Sequence, residues 1–405
     1  MDQRFIKAKP ILRKLIDTGH EAYFVGGSVR DSLLKRPIGD VDIATSARPE
    51  HVQSLFDHTI PVGIEHGTVI VVVENETYEV TTFRLEGEYA DYRHPSYVEF
   101  VSSLKKDLSR RDFTINAIAM DMNGMIIDPY EGKKDINRKL IQTVGNPDER
   151  FREDPLRMMR ALRFVSQLDF KLSENTMDSI KNNATLLTKI SIERILTEFD
   201  KLLIGKANHT ALEQLIQLGL HEYLPCLGKR RCELQQFALL CKNRVDTIEE
   251  YWSLLVHTLR IENIDKFFKN WKCSNERIKI CKIYSNGLKE LEQSQILTLN
   301  FVYKYGKAVC YSIIKLYSIV SNQDYDKLVD DVNELSNKLP ITSRKELAIS
   351  GKDLLNWYNL EEGGPWISEM IEKVEQAVVE NKVKNEKTAI REWVTACSRQ
   401  SENNC

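Results

Sequence analysis

The sequence predicts an α/β domain at the N-terminus followed by an all-helical remainder. Three observations carry that expectation. Short β-prone runs broken by glycine turns fill the first third of the chain, among them YFV at 23–25 and TVIVVV at 68–73. From about Phe151 onward these signals fade, and apolar residues recur at helical spacing. At 405 residues the chain is too long for one ordinary core, and about two to four domains are expected.

Composition narrows the class. Hydrophobic content of 42% with 29% charged residues describes a soluble globular protein. The formal net charge is −2, so any nucleic-acid surface must be a local patch rather than a global polycation. No apolar run approaches the length of a membrane span. The opening MDQRFIKAKPILRKLI alternates charged with apolar residues, unlike the unbroken apolar core of a secretory signal. Eight cysteines (226, 232, 241, 273, 281, 310, 397 and 405) form no C-x-x-C pair and read as reduced cytosolic thiols. The eight histidines show neither H-E-x-x-H nor a His-Asp dipeptide, so a histidine-based zinc or phosphohydrolase site is not expected.

Residues 3–18 form an amphipathic helix stopped by Gly19 at C′. The run Tyr23–Val25 ends at Gly26-Gly27, a helix is expected from about Ser28 to Lys35, and Asp40 and Asp42 follow. Glycines let the backbone turn sharply and bring N–H groups close to an anion, and the helix start behind them adds partial positive charge. On a strand, residues i and i+2 share a face, so both carboxylates can grip the same divalent ion or ion pair. Either half alone is weak, because double glycines before helices and solvated Asp-X-Asp turns are common. Together they are the parts for holding a triphosphate beside metal ions.

A short helix is expected at His51–Phe56, then strand Thr68–Val73, a turn at Asn75-Glu76 and a return strand Thr77–Arg84. That strand places Glu79 on one face with Thr77 and Thr81. A lone strand glutamate usually faces solvent, but beside the Asp40/Asp42 strand it could supply a third carboxylate. Glu86–Pro95 (EGEYADYRHP) is a polar surface loop, either a plain connection or a flap over a nucleotide. Ser109-Arg110-Arg111-Asp112 precedes the helix-like FTINAIAMD. Two arginines at a helix start oppose the helix dipole; a bound polyanion or simple solvation would relieve the mismatch. Met125–Asp128 reads as a last strand and 129–132 as a turn.

Beyond Phe151 the pattern is helical. Pro155 suits a first helical position with Asp154 before it. Arg157, Arg160 and Arg163 follow at steps of three. Alone, this is an N-cap aspartate with salt-bridged surface arginines. A further helix covers Ile192–Leu203, and residues 207–335 are helical without a cofactor motif. The C-terminal segment has a Gly351 turn, a Gly363-Gly364-Pro365 break and a lysine-rich stretch around 382–387 that is a solvated face or a phosphate contact.

GGSVRD, GDVDIA, YEVTTFR, EGEYADYRHP, SRRDFTINA, EDPLRMMRALRF and SIERI, in this order and spacing, closely resemble the class II CCA-adding enzymes. These are the bacterial tRNA nucleotidyltransferases of the poly(A) polymerase family, here of the Gram-positive type without a phosphohydrolase domain. The match is dense over 20–205 and is taken up again by ISGKDLL and GGPWISEMIEKVEQAVVENKVKN near the C-terminus.

The resemblance implies a polymerase β superfamily nucleotidyltransferase head over 1–148, a helical neck with a base-recognition helix over 149–206, a body over 207–335 and a tRNA-contacting tail over 336–405, in a seahorse-like shape. It implies that Asp40 and Asp42 hold two Mg2+ ions with Glu79 completing the catalytic set. Gly27, Arg30 and Arg111 would hold the triphosphate, and Arg160 and Arg163 would line the same pocket. Asp154 and Arg157 would be a protein template for the base. Cytosine and adenine both present an amino donor beside a ring-nitrogen acceptor, which an aspartate acceptor and an arginine donor complement; uracil and guanine present the reverse. Partners implied are tRNA at its acceptor end and elbow, CTP and ATP, in the cytoplasm and with no membrane; a homodimer is left open. The implied activity is template-free addition or repair of the 3′-terminal CCA of tRNA with release of pyrophosphate. A poly(A) polymerase with the same head and neck, or a non-catalytic RNA-binding relative, are the alternatives.

Overall fold

The computed structural model describes residues 1–87, 92, 96–243 and 245–402, with side chains to 396. The chain forms two compact units, Met1–Lys242 with Lys266–Cys273, and Asn243–Asp265 with Ser274–Cys405.

The first unit opens with α1 (Gln3–Asp17), whose N-terminus is capped by the Asp2 side chain on the Arg4 N–H. Phe5, Ala8, Ile11, Leu12 and Leu15 form its buried stripe, and the helix stops before Gly19. Then come β1 (Ala22–Val25), α2 (Gly27–Leu33), β2 (Asp42–Thr45), α3 (Pro49–Leu55), β3 (Thr59–Pro61), β4 (Thr68–Val73) and β5 (Glu76–Thr82). The β4–β5 turn falls one residue earlier than the sequence suggests. Glu74 and Asn75, both at positive φ, make it, the backbone pair that a tight hairpin of this hand requires.

β6 (Arg84–Glu86) pairs with β7 (Val98–Phe100) in a separate ribbon, followed by α4 (Leu104–Ser109), β8 (Ala119–Met120) and β9 (Ile126–Ile127). The main sheet runs β3-β4-β5-β2-β1-β8-β9, with β2 and β5 parallel and every other pair antiparallel. In this register Asp42 is the partner of Glu79 on one side and of Val25 on the other.

One expectation fails here. FTINAIAMD is not a helix: only Thr114–Asn116 make a single tight turn before the chain enters β8 beside β1. Ile115 and the run Ala117–Ala119 are fully buried, so apolar periodicity cannot separate helix from strand, and pairing with β1 decides. Arg110 and Arg111 therefore stand at the C-terminal end of α4, where the helix dipole favours cations. The supposed mismatch does not exist.

The helical part of this unit follows: α5 (Gly132–Arg138), β10 (Leu140–Ile141), α6 (Pro147–Glu153), α7 (Leu156–Phe164), β11 (Lys171–Leu172), α8 (Glu174–Asn183), α9 (Ile192–Leu203), α10 (Asn208–Gln217) and α11 (Arg231–Leu240). Helix α7 packs along α9. The chain leaving α9 crosses the end of α7 so closely that a Cβ on Gly205 would stand 2.7 Å from the Ser166 carbonyl carbon. Trp271 from the returning segment stacks on Phe199 at 5.1 Å and closes the core.

The second unit is helical among its described residues. One of its cores gathers Ile341, Leu354, Val374, Val378 and Ile390. No helix among the described residues is long and apolar enough to cross a membrane.

Candidate active site

β1 ends at Gly26, whose φ of +74° only glycine adopts without strain. A Cβ there would also lie 2.9 Å from Nη1 of Arg111 and 3.8 Å from Oδ2 of Asp42. Gly26 is thus fixed by its backbone first and by the approach of the Arg111 guanidinium second, the Asp42 contact being an ordinary one. Gly27 opens α2, and a Cβ on it would meet Nη2 of Arg30 at an ordinary 3.6 Å.

On β2, Asp42 is half-buried, and its neighbour across the parallel ladder is the exposed Glu79. Register partners on adjacent strands project from the same face, so the two carboxylates stand side by side. Asp40 lies two residues before Asp42, outside the strand and exposed. Burial, then the charge of Glu79, and more weakly that of Asp40, push the Asp42 carboxyl up to about 6, against the pull of Arg111. Asp42 is thus poorly solvated first and crowded by like charge second.

Asp42 lines a cavity of about 530 Å³, well within the range of small-molecule sites. Its walls come from the β1–α2 turn, β2, the end of α4, residues 112–116, the α6–α7 junction and α9. Seven arginines and four carboxylates face it, which is the electrostatics of a polyanion site.

These arginines are held rather than loose. Arg30 grips Asp31 through Nε and Nη2 at 3.0 Å and donates from Nη1 to Oδ1 of Asn116 at 2.7 Å. Asn116 in turn donates to Asp112 at 3.0 Å, and Asp112 takes Arg160 at 2.6–2.8 Å. Burial alone would raise the Asp112 carboxyl, but the Arg160 charge and the Asn116 and Arg160 hydrogen bonds hold it well below the usual carboxylate range. Arg163 pairs with buried Glu198 of α9 at 3.1 Å. Burial and the neighbouring Arg160 push it down to about 10, still charged at neutral pH. The guanidinium groups of Arg30, Arg160 and Arg163 all lie within 5.8 Å of the Phe164 ring centroid, so one aromatic ring serves three like charges. At the other wall, fully buried Asp107 accepts from Arg110 at 3.0 Å and from Arg111 at 3.4 Å.

Asp154 and Arg157 line the same cavity. Asp154 sits in the break between α6 and α7, and its Oδ1 accepts the Leu156 N–H at 3.1 Å. It therefore does act as a helix-start cap while facing the cavity. Its Oδ2 accepts from Nη2 of Arg194 at 2.8 Å. Arg157 is buried and donates to the Arg150 and Arg110 carbonyls and to Glu153.

Of the residues the sequence singles out, Gly27, Arg30, Asp42, Arg111, Asp154, Arg157, Arg160 and Arg163 line one cavity. Asp40 and Glu79 do not, although both act on Asp42 electrostatically. The flap expectation for Glu86–Pro95 lies largely outside the described residues; Glu86 itself faces the cavity and binds Arg84 and Arg110. Sequence reasoning placed Gly26 in the anion-binding turn but gave no role to Asp107, Asp112, Asn116, Phe164, Arg194 or Glu198. The motifs SRRDFTINA, EDPLRMMRALRF and SIERI carry Asp112, Asn116, Phe164 and Arg194, without saying what these residues do.

Carboxylate oxygens are hard donors that suit Mg2+ rather than thiophilic metals, and an acid cluster that raises Asp42 has room for a cation's charge. Among the described residues no three His, Cys, Asp or Glu groups form a metal cage by themselves.

The chain is similar to known proteins along its whole length. Residues 22–142 match the poly(A) polymerase head domain, 169–229 the probable RNA- and SrmB-binding site of polymerase A, and 243–394 the second domain of tRNA nucleotidyltransferase. The chain is 46% identical to the CCA-adding enzyme of Bacillus subtilis over 402 residues, covering 98% of this chain and all of that one. It is 46% identical to that of Anoxybacillus flavithermus over the full length of both. The crystal structure of the Bacillus stearothermophilus CCA-adding enzyme in complex with CTP superposes over 100% of both chains with a TM-score of 0.92 at 40% identity. The Thermotoga maritima CCA-adding enzyme complexed with tRNA, at 20% identity and a TM-score of 0.70 over 98% of this chain, shares the fold. On this similarity and this site, the chain belongs to the family of CCA-adding enzymes, the tRNA nucleotidyltransferases.

Proposed function

We propose that this chain builds and repairs the 3′-terminal CCA of tRNA in the cytoplasm, taking CTP and ATP in turn into one cavity. The observation that carries this reading is that Asp42, the arginine cluster and the Asp154/Arg157 pair all face the same 530 Å³ space. Phosphate chemistry and base selection then share one nucleotide.

The triphosphate lies against the β1–α2 turn, where Gly27, Arg30 and Arg111 hold it, with Arg160 and Arg163 adding charge from α7. Because Asp112, Asn116, Glu198 and Phe164 already fix these arginines, little reorganisation is needed when the anion arrives. Mg2+ held by Asp42 and Asp40, with Glu79 completing the set, would lower the pKa of the tRNA 3′-hydroxyl and neutralise the leaving pyrophosphate. The 3′-hydroxyl gives up its proton to water, its oxygen attacks the α-phosphorus, the bond to the bridging oxygen breaks, and pyrophosphate leaves.

At the base, Asp154 accepts the amino donor shared by cytosine and adenine, and Arg157 donates to the ring nitrogen. Uracil and guanine would face acceptor with acceptor and donor with donor, at about 1–3 kcal/mol per contact left unmade. The tRNA 3′ end needs no template strand, because the protein supplies the complementary edge.

The purified protein, given tRNA lacking its end and the four nucleotides separately and together, is expected to add two C and one A and stop. Unlimited A addition without CTP use would make it a poly(A) polymerase, and tRNA binding without any transfer a non-catalytic relative.

A further inference from the structure

We infer that Arg194 is a positioning residue for nucleotide selection, holding Asp154 at the angle from which its carboxylate reads the base. The inference rests on the role proposed above for Asp154.

Asp154 alone could not present a defined edge. The terminal torsion of an aspartate is broad, so an unrestrained carboxylate could turn either oxygen, or neither, toward a base. Both oxygens are pinned here: Oδ1 by the Leu156 N–H at 3.1 Å and Oδ2 by Nη2 of Arg194 at 2.8 Å. Two bonds to two oxygens fix the carboxylate plane and leave its remaining lone pairs in set directions, since a carboxylate offers about four acceptor sites.

The second pin is non-local. Arg194 lies 40 residues from Asp154, on α9, a different helix from the α6–α7 junction. One turn further along α9, Glu198 takes Arg163 at 3.1 Å and approaches Arg160 at 4.0 Å. A single helix thus fixes the base-reading acid and the arginines beside it with alternate charges at i and i+4, which share a helix face.

Both Arg194 and Asp154 line the cavity, with 22% and 16% of their side-chain surface accessible. A pair this buried also supports the fold, since removing one partner strands the other's charge. On the cavity wall the same contact sets the geometry of Asp154, where small misplacements are costly.

The test compares Arg194→Ala, Arg194→Lys, Asp154→Ala and the Arg194/Asp154 double alanine variant. Single-turnover addition to tRNA lacking its end is measured with CTP, ATP, UTP and GTP. Arg194→Ala is expected to lower the CTP-over-UTP ratio of kcat/KM by roughly tenfold. Arg194→Lys should recover part of that ratio, and the double variant should be no less selective than Asp154→Ala. Undiminished discrimination in Arg194→Ala, or equal loss toward all four nucleotides, would overturn the inference while a loss in Asp154→Ala leaves the base-reading role standing. Additive losses in the double variant would overturn it too. Undiminished discrimination in Asp154→Ala would instead remove the reading beneath it. Should Arg194→Ala fail to fold, Arg194→Gln, with one amide donor in place of the fork, must show an intermediate ratio; full wild-type selectivity there refutes the inference.

Discussion

Replacing Asp42 by asparagine should abolish nucleotide transfer and at the same time make the metal-free protein more stable. The Asp42 carboxyl is pushed from 3.8 up to about 6 by burial and by its acidic neighbours. An acid raised in the folded state contributes stability that is complete below its unfolded pKa and is lost as pH rises through the folded one. At pH 7 the ionised side chain therefore costs about 3 kcal/mol relative to a neutral one. Solvent screening from the cavity side reduces this to about 2 kcal/mol. Asparagine has nearly the same shape and no charge, so Asp42→Asn should gain most of that difference. By the same linkage the gain should shrink below about 1 kcal/mol near pH 4. Urea unfolding in chelator at both pH values measures it. Added magnesium should stabilise the wild type and leave Asp42→Asn unmoved, because only a binder of the folded state shifts the equilibrium. A variant no more stable than wild type at pH 7, or a gain independent of pH, would refute the view that Asp42 is held ionised against its surroundings.

The remaining predictions concern the frame around that carboxylate. Gly26→Ala forces a Cβ toward Arg111 in a left-handed backbone; it should cost about 1–2 kcal/mol and raise KM for CTP more than it lowers tRNA affinity, as steady-state kinetics can show. Asp107→Ala leaves Arg110 and Arg111 without their shared buried acceptor, and a stability loss of about 3 kcal/mol is expected in urea unfolding. Asp154→Ala should erode selection of C and A over U and G while leaving tRNA binding nearly intact, read from misincorporation and gel-shift affinity.

Much of this site is legible in the sequence because its parts are local. A β-prone run ending in two glycines, two aspartates one residue apart, and Pro155 opening an arginine-bearing helix each carry their own signal within a few residues. The Ile192–Leu203 helix follows from its periodic apolar stripe and appears with those bounds. The failures are of another kind. Phe113 to Met120 is buried throughout, polar Thr114 and Asn116 included, so its spacing says nothing of its conformation. That one misreading also turned Arg110 and Arg111 into an electrostatic puzzle, when the preceding helix places them at its favourable end. Asp112 and Arg160 lie 48 residues apart, and Arg194 and Asp154 lie 40 apart; no local pattern ties such pairs. A chain read residue by residue shows charges, and only the packing of α7 on α9 shows which of them hold the others in place.

In the proposed function a single cavity both moves the phosphate and chooses the base. The decisive measurement is incorporation of all four nucleotides into tRNA lacking its end, sequenced product by product for the wild type and Asp154→Ala. The wild type should add C, C, A and then arrest. Asp154→Ala should continue transfer with U and G now entering. Faithful C and A addition by Asp154→Ala at the wild-type ratio would contradict it, because selection would then reside outside the cavity that performs the transfer.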